Sequence, residues 1–413
     1  MSERPKPQIA WTAILPLVIT LLALALRLYR LGAQSLWYDE GVSVYLARMS
    51  LPQLTAWTAD DIQPPLYYYL LHFWLLLFGQ SSSEFVVRFP SLFFGVLTVP
   101  LMYRMGRHLF GTMAGLLAAF LAAISPLYLW YSQETRMYTM LTFLCLLSSY
   151  LLLKALERRA SPRLKGSLLW LAFAVANVAA AYTHYFAFFV MAFQGIYLVV
   201  WSRKARPLDS SPFAIRYSLL DMRLLLQGLA AFAAIALAYL PWVPFMLHRY
   251  QADVSYWQGT LKLNEVLRKT LISFSLGETV IEEVGAKLAV GYGVIALIAL
   301  AAIAFSKRNT DHKPPFSILH SPFSILFLLL YLLLPTALII ALSYRIPKFS
   351  PRYLMLSSPA FILIIAGGLA TLLQWGEKEK EPSAIRYSLF AICSLFILTT
   401  SAYADYNNYF NIH

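Results

Sequence analysis

The chain has 413 residues, of which 59% are hydrophobic, 15% aromatic and only 13% charged, with a formal net charge of +13. That is more apolar surface than a soluble core can bury, and the apolar runs approach the ~20 residues that cross a bilayer, so a soluble enzyme is excluded and an all-α, polytopic integral membrane protein is expected. The basic residues are scattered over short segments between these runs, so the positive charge reads as topology and excludes a nucleic-acid-binding stripe.

The first apolar run, Ile9 to Leu28, follows Arg4 and Lys6. It is long and no small-residue cleavage pattern follows it, so it reads as an uncleaved span with the N-terminus in the cytoplasm. Directly after it comes Ser35-Leu36-Trp37-Tyr38-Asp39-Glu40. Two adjacent carboxylates beside lipid are expensive to hold, and they are either solvated loop charges or part of a site.

The outer segment that contains them, about 29–88, is too long for a simple connection. Within it, Val44 to Leu54 and Leu66 to Phe78 are apolar but shorter than a span, and Pro64-Pro65 stands where a helix starts. Amphipathic helices lying along the membrane surface are expected, anchored by Trp57, Tyr67, Tyr68, Tyr69 and Trp74. The alternative is a re-entrant or full span at 66–79, which would invert every later orientation.

Spans are expected at 9–28, 89–106, 112–131, 137–156, 167–185, 186–202, 225–247, 285–305, 322–343, 353–373 and 387–403, eleven in all. In this scheme most lysines and arginines fall on the inner side, which supports the orientation. Arg27 and Arg30 stand against it at the outer end of the first span, where they either snorkel or face an anionic ligand. A second long outer segment, about 248–283, either packs or closes over substrate. The chain reads as one transmembrane domain over 1–413, with no soluble domain after the last span. The near-repeats at 211–219 and 382–389, and at 315–319 and 322–326, are too few for a solenoid and read as tolerated insertions.

Cys145 and Cys393 lie far apart inside apolar runs, which indicates neither a disulfide framework nor a zinc site. There is no Walker loop, no dinucleotide fingerprint and no His-Glu-x-x-His, so a cytoplasmic nucleotide-sugar donor is not supported. With the spans drawn, Asp39, Glu40, Gln63, Gln133, Glu134, Arg136, His184, Tyr185, Lys348, Arg352 and Tyr353 all gather at the outer face. Singly each has an ordinary reading, such as an ion pair, an interface histidine or a snorkelling arginine. The convergence of acid, base and aromatic groups at one depth is the informative feature.

The runs Ser35 to Glu40, Gln63-Pro64-Pro65-Leu66-Tyr67-Tyr68, Ser132-Gln133-Glu134-Thr135-Arg136-Met137-Tyr138, Thr183-His184-Tyr185-Phe186 and Pro351-Arg352-Tyr353-Leu354 resemble the GT-C membrane glycosyltransferases. The resemblance is to the group related to dolichyl-phosphate-mannose protein mannosyltransferases and to bacterial lipopolysaccharide (aminoarabinose-type) glycosyltransferases. It implies transfer of a sugar from a polyprenyl-phosphate donor to a lipid, glycan or protein acceptor on the extracytoplasmic face of the cell membrane. Asp39 is then the candidate base, with Glu40 as helper or structural partner, and a single displacement would invert the anomeric carbon.

The leaving lipid phosphate needs cations, for which Arg136, Arg352 and Arg27 are candidates, or else a divalent metal, Mg or Mn. Gln63, Tyr67, Gln133, Glu134, His184, Tyr185, Lys348 and Tyr353 are the candidate substrate contacts. Two departures stand out. Gln63 occupies a position where relatives often carry His or Lys, and Gly41-Val42-Ser43 follows the acidic pair where the aminoarabinose-transferase variant places an arginine. A transporter or flippase of lipid-linked sugars and a non-catalytic assembly protein are the competing classes. Scarce mid-span charge and unrelated halves weigh against the first, and the acid-arginine convergence weighs against the second.

Overall fold

A computed structural model describes residues 11–61, 63–157, 163–204, 221–252, 262–305, 322–345, 349–374 and 384–411. Among them every regular element is helical. The chain opens with α1 (Trp11–Leu28), then three short helices, α2 (Tyr38–Ala47), α3 (Leu51–Ala59) and α4 (Leu66–Leu77). There follow α5 (Glu84–Phe110), the broken pair α6 (Thr112–Ala123) and α7 (Pro126–Ser132), α8 (Tyr138–Glu157), α9 (Arg163–Thr183) and α10 (Ala187–Lys204). The second half holds α11 (Met222–Tyr239), α12 (Val243–Ala252), α13 (Leu263–Leu276), α14 (Glu282–Phe305) and α15 (Pro322–Arg345). A 3-10 turn (Pro351–Ser357) then leads into α16 (Ser358–Gln374), and α17 (Ala384–Phe410) follows.

Among the described residues eight helices are long and apolar enough to cross a membrane, or nine if α6 and α7, bent by 53°, count as one span. The eleven expected spans are therefore not all present as full-length helices. Those expected at 9–28 and 186–202 appear as the shorter apolar helices Ile14–Leu28 and Ala187–Arg203. The alternative span at 66–79 fails on length, because the 12 residues of α4 reach only about 18 Å against a hydrocarbon core of about 30 Å.

Helix α4 instead buries Tyr67, Tyr68, Leu71 and Leu75 against its neighbours and leaves Phe73, Leu76 and Leu77 exposed, as a helix lying on a membrane surface would. The apolar segment expected at 44–54 is divided between α2 and α3, because Ser50 starts a new helix, its backbone N–H donating to Gln53 Oε1 at 3.2 Å. The outer segment expected at 248–283 contains α13; its residues 253–261, like the repeats at 211–219 and 315–319, lie outside the described residues.

The centre of the bundle is the segment Pro351–Leu373, 94% buried, whereas the spans Met222–His248, Glu282–Phe305, Pro322–Tyr344 and Ala384–Phe410 are only 28% buried and turn apolar side chains outward. Small residues let the central helices approach. A Cβ added at Gly368 would fall 2.2 Å from the Ala299 Cα, and one at Gly115 would fall 2.6 Å from the Tyr103 carbonyl oxygen. Close backbone approach of this kind replaces the hydrophobic driving force that lipid removes.

The break between α6 and α7 exposes carbonyls at membrane depth, where nothing but protein can satisfy them. Arg27 does so: it is fully buried and donates to the Ala122 and Ala123 carbonyls at 3.0 Å each, to the Ala23 carbonyl at 3.2 Å and to Ser132 Oγ at 3.1 Å. This corrects the expectation that Arg27 snorkels or meets a donor phosphate. All three of its nitrogens are committed to the break.

Candidate active site

Asp39 and Glu40 sit in the first turn of α2, where the exposed N–H groups favour acidic side chains. They point to different places. Glu40 is fully buried and forms a two-pronged pair with Arg88 of α5, Nε to Oε1 at 2.9 Å and Nη2 to Oε2 at 2.8 Å. Arg88 also donates to the Leu31, Gln34 and Ser35 carbonyls at 3.0, 2.9 and 3.2 Å, which ties down the chain between α1 and α2.

Glu40 Oε1 accepts the Thr135 N–H at 2.8 Å, and Oε2 accepts the Trp37 N–H at 3.3 Å. Glu40 is thereby the node that fastens the start of α2 to the turn before α8. Ser91 fastens the other side of that turn, donating to the Arg136 carbonyl at 2.9 Å while its hydroxyl lies 2.8 Å from the Tyr67 hydroxyl.

This clamp presents Arg136 to Asp39. The Asp39 side chain is about a quarter exposed, and its Oδ2 lies 3.9 Å from Arg136 Nη2 and 3.4 Å from Arg352 Nη1. Arg136 Nη1 also donates to the Asp39 carbonyl at 3.3 Å. Arg352 arrives from the 3-10 turn at the start of the buried central segment, and its guanidinium lies 5.6 Å from the ring centres of Tyr138 and Tyr353 and 5.9 Å from that of Trp37. Such aromatic walls hold a guanidinium without neutralising it. The Nε atoms of both Arg136 and Arg352 are buried with no hydrogen-bond partner.

His184, Phe186, Tyr138 and Tyr353 close the aromatic side of the site, with the His184 and Tyr353 rings 5.9 Å apart. Burial, reinforced by the charges of Arg136 and Arg352, pushes the His184 imidazole down to about 3, so the ring is neutral. Its Nδ1 accepts the Phe186 N–H at 3.2 Å, which leaves the proton on Nε2. Glu134, two residues before Arg136, is buried and its Oε2 has no partner. Burial first, then the charge of Glu40, raises its carboxyl to about 8 against the opposing pull of Arg352 and Arg136. Glu278, between α13 and α14, accepts from Tyr131 at 3.4 Å and Ser273 at 3.3 Å, and burial raises its carboxyl as well.

Of the other expected contacts, Gln63 accepts the Tyr68 hydroxyl and Tyr67 is wholly buried on Ser91, so both brace α4. Gln133 donates to the Arg27 and Tyr29 carbonyls at 3.0 and 2.9 Å, and the Tyr185 hydroxyl accepts from Trp242 at 3.3 Å. Lys348 lies outside the described residues. Arg88 was missed because a lone arginine 48 residues from its partner carries no sequence signal; Glu278 was missed because it lies in a mixed outer segment with no motif around it.

The donor set does not suit a divalent cation. Asp39 faces two guanidiniums, Glu40 is turned away into Arg88, and no group of three His, Cys, Asp or Glu side chains converges among the described residues. What the arrangement can do is hold one accessible carboxylate and an anion side by side.

The sequence profile of the dolichyl-phosphate-mannose-protein mannosyltransferase family matches residues 62–226. The Bacillus subtilis protein YkcB, named as a candidate mannosyltransferase, is 25% identical over 266 residues, covering 60% of this chain and 33% of its own. A second candidate mannosyltransferase of Bacillus subtilis, YycA, is 31% identical over 120 residues, covering 29% of this chain and 16% of its own. The chain thus spans a third or less of the length of these relatives.

In fold it is similar to the oligosaccharyltransferase AglB of Archaeoglobus fulgidus, solved with an inhibitory peptide and a dolichol-phosphate, at 15% identity and a TM-score of 0.62 over 97% of this chain and 56% of that one. It is also similar to ArnT of Cupriavidus metallidurans, solved with undecaprenyl phosphate, at 15% identity and a TM-score of 0.55 over 95% of this chain and 75% of that one. The resemblance to GT-C membrane glycosyltransferases is therefore supported in sequence over residues 62–226 and in fold over nearly the whole chain.

Proposed function

We propose that the protein transfers a sugar from a polyprenyl-phosphate donor to a hydroxyl of a lipid, glycan or protein acceptor at the extracytoplasmic face of the cell membrane. The observation that carries this reading is a partly exposed carboxylate, Asp39, beside two arginines whose buried Nε donors have no partner. Buried unpaired guanidinium donors are rare unless an anion completes them, and a lipid phosphate is an anion with several oxygens to offer. The neighbours solved with dolichol-phosphate and undecaprenyl phosphate support the same donor class.

In this mechanism the acceptor hydroxyl gives its proton to Asp39 as its oxygen bonds to the anomeric carbon of the sugar. The bond from that carbon to the phosphate oxygen breaks, its electron pair leaves with the polyprenyl phosphate, and the single displacement inverts the centre. Arg352 and Arg136 take up the charge that grows on the leaving oxygen, at a depth where water competes weakly. The neutral His184, whose Nδ1 is taken by the Phe186 N–H, would donate to substrate from Nε2 without adding charge. Glu40 acts through position, holding both α2 and the Arg136 turn.

Asp39→Asn keeps size and shape but cannot accept the proton, so transfer should fall by ~10²–10⁴-fold while donor-lipid binding persists. The measurement is transfer from a panel of radiolabelled polyprenyl-phosphate sugars alongside donor binding in one membrane preparation. Undiminished transfer by Asp39→Asn overturns the mechanism.

A further inference from the structure

Arg352 reaches Asp39 from a 3-10 turn of seven residues, Pro351–Ser357, that runs straight into α16. Runs of this helix type longer than three or four residues are uncommon, because its hydrogen bonds are poorer than those of an α-helix. The flanking sequence explains why this one persists. Ser350 is extended, the conformation favoured before a proline, and the Tyr353 N–H donates back to the Ser350 carbonyl at 3.1 Å. At the other end Pro359 has no N–H to offer the Met355 carbonyl four residues earlier, and its ring would press on that oxygen if α16 continued backwards as an α-helix.

Two buried serines take over the carbonyls at this junction. The Met355 carbonyl accepts the Ser358 N–H and also the Ser358 hydroxyl, the latter at 2.7 Å, and the Leu354 carbonyl accepts the Ser357 hydroxyl at 2.9 Å. Both hydroxyls also reach neighbouring helices: Ser358 Oγ lies 3.0 Å from the Tyr128 hydroxyl of α7, and Ser357 Oγ lies 3.0 Å from Thr336 Oγ1 of α15. A serine at a helix start ordinarily caps the N–H groups ahead of it, whereas these two bond carbonyls behind them, inside the turn.

The form of the turn decides where Arg352 stands. A 3-10 helix advances ~2.0 Å and ~120° per residue, against ~1.5 Å and ~100° for an α-helix. Over the six residues from Ser358 back to Arg352, an α-helical turn would draw the arginine in by about 3 Å and swing it by about 120°. The 3.4 Å approach to Asp39 and the places beside Tyr138 and Trp37 would be lost together.

We propose that Ser357, Ser358 and Pro359 are positioning residues: by holding the segment before α16 in 3-10 form, they set Arg352 where it can meet both Asp39 and the phosphate of the donor. The inference rests on the glycosyltransferase reading above, which gives Arg352 its phosphate. It goes beyond that reading by assigning the placement of the cation to three residues outside every motif singled out in the sequence.

The test measures binding of undecaprenyl phosphate to the full chain in lipid nanodiscs, with transfer from radiolabelled polyprenyl-phosphate sugars as a second readout. Ser358→Ala/Pro359→Ala restores an N–H at 359 and removes the competing hydroxyl, so affinity should fall about tenfold, the worth of one charge-assisted hydrogen bond. Pro359→Ala alone should fall part of the way, and it serves in place of the double variant if that one fails to fold. Ser358→Thr, which keeps the hydroxyl, should stay within about threefold of wild type.

The decisive comparison repeats these changes in an Arg352→Ala background. A turn that acts through Arg352 should then alter affinity by less than about twofold, whereas general damage to the bundle lowers it by the same factor in both backgrounds. Equal losses in both backgrounds, or wild-type affinity in both Ser358→Ala/Pro359→Ala and Pro359→Ala, would overturn the assignment. A loss seen only with Arg352 present, in a protein that transfers no sugar, would remove the enzymatic reading and leave the role of the turn standing. Transfer that Asp39→Asn abolishes, with equal losses in both backgrounds, would remove the role of the turn alone.

Discussion

Glu40 and Arg88 offer a test of which acid does chemistry and which does construction. Glu40→Gln leaves the Arg88 guanidinium buried with its three carbonyl partners but without a counter-charge, and Arg88→Met leaves the Glu40 carboxylate with only the Thr135 and Trp37 N–H groups. Removing one partner of a buried pair strands the other charge, and about 3–5 kcal/mol of stability should be lost in each case. At this chain size that is a fall in Tm of roughly 5–10 °C. The double variant strands neither charge, so it should lose less than the sum of the singles, with a coupling of about 1–3 kcal/mol.

Cys145 and Cys393 are both buried, so their reaction with a fluorogenic thiol reagent during heating reports unfolding. Asp39→Asn in the same assay should melt near the wild type while losing transfer. A wild-type Tm for Glu40→Gln, or strict additivity in the double variant, would refute the claim that Glu40 is the structural member of the pair.

Arg352→Ala should impair donor use more than Arg352→Lys, because lysine keeps the charge but loses the planar fork between Tyr138, Tyr353 and Trp37; equal, wild-type kinetics in both would reduce Arg352 to a packing residue. Glu134 predicts a pH dependence of stability. Its folded carboxyl titrates near 8 against an ordinary 4.5, chiefly through burial, so the stability tied to its proton is complete below about 4.5 and is lost as pH rises through 8. Glu134→Gln is neutral throughout and should show a flatter melting profile between about pH 5 and pH 8, the difference being on the order of a few kcal/mol; parallel profiles would refute it.

The membrane class, the helical architecture and the neighbourhood of Asp39, Arg136, His184, Arg352 and Tyr353 follow from sequence, because span length and the cost of polar groups near lipid act locally along the chain. Sequence left the segment 66–79 open between a surface helix and a span, and only the 12-residue length of α4 in the fold decided against a full span. What sequence also could not decide is which member of each local set faces the reaction. Asp39 and Glu40 are neighbours with the same chemistry, and only the fold turns one toward Arg352 and the other toward Arg88.

Arg27 looked like a phosphate ligand at the end of a span, yet the break at Ser125-Pro126 brings the Ala122 and Ala123 carbonyls to it from 95 and 96 residues away. Gln63 and Tyr67 belong to a recognisable motif, but that motif is spent on bracing α4 against α5. In each case the deciding partner is remote in sequence. A buried charge or an unpaired carbonyl must be satisfied by whatever group packing delivers, and packing is a property of the whole bundle.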